Sequence, residues 1–198
     1  MARAEDSGAN WVQGAIEFVD RKDTFLETLS PKLEGRLFAA RMVGQVYIQQ
    51  PAIIRRDTIM KTSGFDSQFI TSEDTDFFLQ IAALGEVAVV SRAVARIRLG
   101  NTDASHTKYW LRDEMDRMVR EKAFDRRDCI RLIRTSLQDV KDPWVRGRIV
   151  YYYLGSAIRN MRSGAIMKSF SRLWSALVLG VVGLGHRRYW SGLTKKAP

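Results

Sequence analysis

Ser72-Glu73-Asp74-Thr75-Asp76-Phe77-Phe78-Leu79-Gln80-Ile81-Ala82-Ala83-Leu84-Gly85 is the stretch on which the reading of this chain turns. It spells a helix. Ser72 stands at the N-cap, and Glu73, Asp74 and Asp76 fall in the first turn. There, unpaired N–H groups and the positive end of the helix dipole favour carboxylates. The apolar run that follows stops at Gly85. Taken alone, the segment is a well-capped amphipathic helix, and what surrounds it, from Ile48 to Leu99, decides whether it is more.

Upstream, Asn10 to Val19 alternates and is β-branched enough for a strand, with Asp20-Arg21-Lys22-Asp23 as its turn and Thr24 to Leu29 as a returning strand. Leu33, Leu37, Ala40 and Val43 fit a short helix. Ile48 to Ile54 reads as extended, and Pro51 within it places the segment at a sheet edge or beside a cleft. Asp57 to Thr62 reads as a helical turn. After the Asp74 helix, Glu86–Val90 and Ala93–Leu99 read as two short strands. The expected fold class is therefore α/β over residues 1–106, with too few strands for a complete doubly wound sheet.

Beyond that point the pattern is helical. Leu111, Met115, Met118 and Val119 mark one face, and Cys129, Ile130, Leu132, Ile133 and Leu137 another. Asp142-Pro143 opens a third helix, with Asp142 as cap and Pro143 in the first helical position. Ser163-Gly164 ends it, and a last helix starts near Ala165. Residues 107–198 are thus expected to form an all-helical C-terminal region.

Charge divides the chain in the same place. Residues 1–107 carry 12 Lys/Arg against 14 Asp/Glu, whereas residues 108–198 carry 20 against 8. From Pro143 onward there are ten basic residues and no acid. Such asymmetry points to a polyanionic surface, either anionic lipid or nucleic acid. The region has no recognisable base-reading motif, which disfavours nucleic acid. Leu173 to Gly185 is an uncharged apolar run of 13 residues, about 20 Å as a helix and short of a roughly 30 Å hydrocarbon core. Trp174, Tyr189 and Trp190 lie near its ends. It reads either as a membrane-interface segment or as the buried helix of a small bundle. A single cysteine, Cys129, excludes an internal disulfide, and two distant histidines argue against a zinc site. Met1-Ala2-Arg3-Ala4-Glu5-Asp6 has no signal-peptide core, so the expected location is cytoplasmic, with peripheral attachment to the inner membrane face.

Taken in order, the motifs are Gln49-Gln50-Pro51, Arg55-Arg56, Ser63-Gly64-Phe65-Asp66, Ser72-Glu73-Asp74, Ala83-Leu84-Gly85, Val89-Val90 and Ala95-Arg96-Ile97-Arg98. This series, over roughly residues 9–106, resembles the acceptor-side half of the family 2 inverting glycosyltransferases, which have the GT-A fold. The resemblance implies that Asp74 is the general base that deprotonates an acceptor hydroxyl attacking a nucleotide-sugar. It also implies that Gln50, Phe65 and Asp66 line the acceptor cleft, that Glu73 orients or contacts the acceptor, and that Arg98 lies near the donor diphosphate. The substrates implied are a nucleotide-sugar donor and a saccharide or lipid-linked acceptor, as in polysaccharide biosynthesis at the cell envelope.

Two features depart from the family pattern. Its nucleotide-binding half, with a metal-binding Asp-x-Asp, has no counterpart here, so the divalent Mg or Mn ion the family uses has no ligands in this sequence. Gly100 stands where members often carry a His, and His106 is either a substitute or a surface-loop residue. The expectation is an enzyme portion that acts with a partner chain or as a homo-oligomer. The alternative is a non-catalytic module for membrane or protein interaction.

Overall fold

The computed structural model describes residues 6–45, 52–99 and 109–194, and the architecture is mixed α/β. It contains a four-stranded sheet with helices, followed in sequence by a run of helices. The chain forms two compact units, residues 1–37 with 46–124, and residues 38–45 with 125–198. The helix Tyr109–Phe124 thus groups with the sheet, and the short Phe38–Met42 segment groups with the later helices.

The first unit is organised by β1 (Trp11–Val19), which pairs with every other strand. The hairpin strand β2 (Phe25–Leu29) lies antiparallel to Ile16–Val19, and β3 (Ala52–Ile54) lies antiparallel to Trp11–Gln13. Along its whole length β1 also pairs in parallel with β4 (Val87–Arg98). Since Trp11 faces both Ile54 and Val87, and Ile16 both Leu29 and Ala95, β2 and β3 share one edge of β1 while β4 takes the other. Trp11 to Ile16 are buried without a break, so this strand is covered on both faces as a central strand must be.

The two short strands expected at Glu86–Val90 and Ala93–Leu99 are one strand with bulges. Eight steps from Trp11 to Val19 run against eleven from Val87 to Arg98, and the slack is taken up opposite Gln13 to Ile16. Ser91-Arg92 therefore interrupts the side-chain alternation without ending the strand. Gly14 makes this possible. A Cβ there would collide with the Val94 side chain and stand 3.2 Å from the Arg92 carbonyl.

Helices fill out the unit: the short α2 (Arg56–Ile59), then α3 (Glu73–Leu84) and α4 (Tyr109–Phe124). Helix α3 buries Phe77, Phe78, Leu79, Ile81 and Ala82, and Phe78 stacks on Trp11 with ring centroids 5.6 Å apart. Asn10 ties three elements together: its Nδ2 donates to Thr58 Oγ1 at 3.1 Å and to the Leu84 carbonyl at 3.3 Å, while its own carbonyl accepts from Arg55 N. A side chain at Gly85 would displace that amide.

The second unit comprises α1 (Phe38–Met42), α5 (Cys129–Val140), α6 (Pro143–Arg162), α7 (Ile166–Gly180), a 3-10 turn Val181–Gly183, and α8 (Arg187–Thr194). Its core includes Phe38, Ile133, Val145, Ile149, Tyr153 and Leu179. The cap expected at Asp142 is present, accepting from Trp144 N at 2.9 Å ahead of Pro143. Helix α8 approaches α6 where glycines remove the side chains: a Cβ on Gly147 would meet the Tyr189 backbone, and one on Gly192 the Trp144 carbonyl. Cys129 is buried, as the apolar residues around it predicted, and its sulfur lies 3.4 Å from the Tyr153 hydroxyl. Burial raises the thiol pKa to about 11 and raises that of the Tyr153 hydroxyl as well.

Candidate functional site at the start of helix α3

The carboxylates that open α3 have three different environments. Glu73 is exposed and Asp74 half-buried, while Asp76 is buried at 3% exposure. Ser72 occupies the expected cap position but adopts a left-handed conformation (φ 68°) and makes no side-chain cap bond. Its contribution is the backbone carbonyl, which accepts from Asp76 N at 3.0 Å.

Asp76 is neutralised within the fold. Its Oδ2 accepts from Lys122 Nζ at 2.9 Å and from Gln80 Nε2 at 2.8 Å. The same ammonium donates to Asp66 Oδ2 at 2.8 Å and lies 5.2 Å from the Phe69 ring centroid. Lys122 of α4 therefore joins helix α3 to the turn that precedes it. Partial burial acts to lower the Lys122 pKa, yet the hydrogen bonds it donates to Asp66 and Asp76 outweigh it and the pKa is raised. The Lys122 ammonium is the main cause holding Asp66 below the usual carboxylate range, helped by the Gln68 N–H. Gln80 completes the frame: its Oε1 accepts from Ser63 N at 2.9 Å and its Nε2 donates to the Gly64 carbonyl at 3.2 Å. Gly64 has φ 73°, a left-handed conformation that suits the residue before Phe65.

Asp74 is held differently. Among the described residues its carboxylate receives a hydrogen bond only from the Thr75 hydroxyl, at a long 3.4 Å. Among the described residues it is the sheltered carboxylate of this segment that no cation engages, whereas Asp66 and Asp76 share Lys122. Phe65 is 65% exposed and stacks on Phe77 with centroids 4.7 Å apart, so a flat apolar surface stands beside the start of α3.

The Gly64–Asp66 turn meets α3 through the Phe65–Phe77 stack and through Lys122, which bridges Asp66 and Asp76, while Glu73 and Asp74 lie in the first turn of the same helix. Arg98, the last residue of β4, reaches the turn of the β1–β2 hairpin, where its Nη2 and Nε donate to Asp23 Oδ1 at 2.6 and 3.0 Å. Arg96 similarly pairs across the strands with Glu17 at 2.9 Å. Gln50, Gly100 and His106 lie outside the described residues. The residue that sequence reasoning missed is Lys122. It reads as the basic end of an amphipathic helix, and a cation 46 positions from Asp76 leaves no local signal.

The residues here do not fit a divalent ion. Among the described residues no three His, Cys, Asp or Glu side chains cluster as metal ligands. The two carboxylates that converge, Asp66 and Asp76, do so on an ammonium that already supplies the positive charge. No protein-family model, curated protein or solved structure matches the chain.

Proposed function

We propose that this chain is the acceptor-side portion of a GT-A-type family 2 glycosyltransferase, with Asp74 as the general base. The reading rests on the order of motifs from Gln49 to Arg98. The observation that carries it structurally is the division among the carboxylates, with Asp74 at the helix start left to its own uses while Asp66 and Asp76 are tied to Lys122. A sugar hydroxyl is a poor nucleophile until a carboxylate within hydrogen-bond reach takes its proton in the transition state. Asp74 would accept that proton as the acceptor oxygen forms its bond to the anomeric carbon and the nucleoside diphosphate departs with the electrons of the broken bond. The exposed face of Phe65 offers an aromatic platform for the apolar side of a sugar ring, and Glu73 a hydrogen-bond acceptor for its hydroxyls.

This reading assigns the chain no donor site of its own. Transfer requires a nucleotide-binding half outside residues 1–198, and the divalent ion of the family would be held there. The first test is titration calorimetry with nucleoside diphosphates and nucleotide-sugars, with and without Mn²⁺, beside a parallel titration of saccharide acceptors. Acceptor binding without donor binding is the expected result. The second test is label transfer from a nucleotide-sugar in the presence of the donor-binding half. Asp74→Asn should lower turnover about 10²–10⁴-fold with acceptor affinity retained. Full turnover in Asp74→Asn would remove Asp74 from the reaction, and a chain that binds no saccharide would overturn the acceptor assignment.

A further inference from the structure

Helix α7 is turned inside out relative to an ordinary surface helix. The side packed against its own unit carries Ser169, Arg172, Ser175, Ala176, Leu179 and Gly180, all buried, with Leu179 as the one large apolar side chain among them. The side facing outward carries Met167, Phe170, Trp174, Leu177 and Val181, at the three- and four-residue spacing of a single helix face. Met167 is 83% exposed, Trp174 67% and Val182, in the following 3-10 turn, 68%. The preceding helix α6 bears its own outward row, Tyr151, Leu154, Ile158 and Met161. A water-facing helix ordinarily reverses this arrangement.

The polar inward side is fixed in place. Arg172, 4% exposed, pairs with Asp125 and donates from Nε to Ser156 Oγ at 3.3 Å, and Ser169 Oγ donates to the Ala157 carbonyl at 2.9 Å. Arg146 donates to the Leu179 carbonyl at 3.1 Å. The apolar face therefore has no way to roll inward without breaking these bonds.

Charge selects what covers it. The second unit carries 16 Lys/Arg against 4 Asp/Glu, and from Pro143 on the acids are absent altogether. A second copy of the chain would bring one strongly cationic surface against another. A bilayer of anionic lipid offers the complement, hydrocarbon for the apolar row and phosphates for the cations, and Trp174 and Trp190 belong to the residue type that favours its headgroup boundary. By length and composition Ile166–Gly183 is sufficient to cross a membrane, but 39% of it is buried within the protein, and Arg172 and Lys168 are both paired with Asp125. These bonds hold it flat against its own unit.

We infer that the outward face of α7 and the Val181–Gly183 turn is an interfacial membrane-docking surface, selective for anionic lipid, that lies in the headgroup boundary without spanning the bilayer. The inference does not depend on the glycosyl-transfer reading.

The test is flotation of the full chain with vesicles of phosphatidylcholine alone and with about 30% phosphatidylglycerol, an anionic content of the order found in biological membranes. Flotation with the anionic vesicles, weakening as salt rises, and release by alkaline carbonate are expected. Trp174→Glu and Leu177→Glu, both at exposed positions that folding does not need, should each reduce partition about tenfold or more. Circular dichroism should show them folded, and Asp74→Asn should float like the wild type. No flotation on anionic vesicles, equal flotation of the glutamate variants, or resistance to carbonate would each overturn the inference. So would a dimer in light scattering that the same two substitutions dissolve, since the face would then belong to a second copy.

Discussion

Replacing Lys122 by methionine tests how the start of α3 is held together. The substitution keeps an unbranched apolar stem and removes the ammonium that lies over the Phe69 ring and is shared by Asp66 and Asp76. Removing one partner of a fully buried ion pair costs about 3–5 kcal/mol, because the other charge is left stranded. Asp76 is close to that limit, its side chain 5% exposed, but the Lys122 side chain is 41% exposed and already partly screened by water. Gln80 also continues to donate to Asp76. We therefore expect a loss of about 2 kcal/mol. Hydrogen exchange over residues 73–84 reads the sheet unit alone, and protection there should fall about 30-fold. Asp76→Asn in the Lys122→Met background should recover about 1 kcal/mol, because no charge is then stranded. The pH dependence has a definite sign at each end. The raised Lys122 pKa adds stability that is complete below its ordinary value of 10.5 and disappears as pH rises through the raised value. The lowered Asp66 pKa adds stability present above 3.8 that disappears as pH falls through the lowered value. The difference between wild type and variant should thus be flat near neutrality and shrink at both extremes. A loss under about 0.5 kcal/mol, or none recovered by Asp76→Asn, would refute the reasoning.

Other outcomes follow from the same geometry. Asp74→Asn should leave thermal stability within about 0.5 kcal/mol of wild type, since among the described residues that carboxylate receives only the long bond from Thr75, and on the general-base proposal it should abolish most transfer. Gly14→Val should destabilise the sheet unit by about 2 kcal/mol in urea unfolding, because the β4 bulge fills the space above Gly14. Unchanged stability would mean that the bulge relaxes freely. Cys129 should resist thiol reagents at pH 8 until the protein unfolds, its thiol being buried and pushed up to about 11. As the neutral thiol is the form favoured by folding, this site should subtract stability as pH rises from about 9 to 11. Rapid native-state labelling would place Cys129 nearer the surface.

Much of the sheet unit is legible in the sequence because its signals are local. Alternation marks β1, the turn at Asp20–Asp23 marks the returning β2, and the acidic opening with a glycine stop marks α3 to within a residue. Asp142-Pro143 marks α6 for the same reason. Three features escaped, and each depends on distant partners. The bulged β4 looks like two strands because Ser91-Arg92 breaks the alternation, and only the register against β1 shows one continuous ladder. The Ser72 side-chain cap fails because Ser72 itself adopts a left-handed conformation in place of the extended one in which an N-cap hydroxyl reaches the helix N–H groups. Lys122 is invisible because nothing near it in sequence names Asp66 or Asp76. Its role also changes how the site reads: of the residues expected to serve a substrate, Asp66 is committed to an internal cation, and Arg98 to Asp23.

The reliance of every strand on β1 has a consequence for the order of events during synthesis. The β1–β2 hairpin needs only a short turn and is available as soon as Leu29 has been made. The parallel partner β4 comes about 70 residues later, so one edge of β1 must wait, its N–H and C=O groups unsatisfied, until Val87–Arg98 has emerged. Closing that long loop is a slow, non-local step. A growing chain stalled between residues 30 and 86 would therefore present a half-paired apolar strand to its neighbours, and this interval is where a chaperone would be of most use to it.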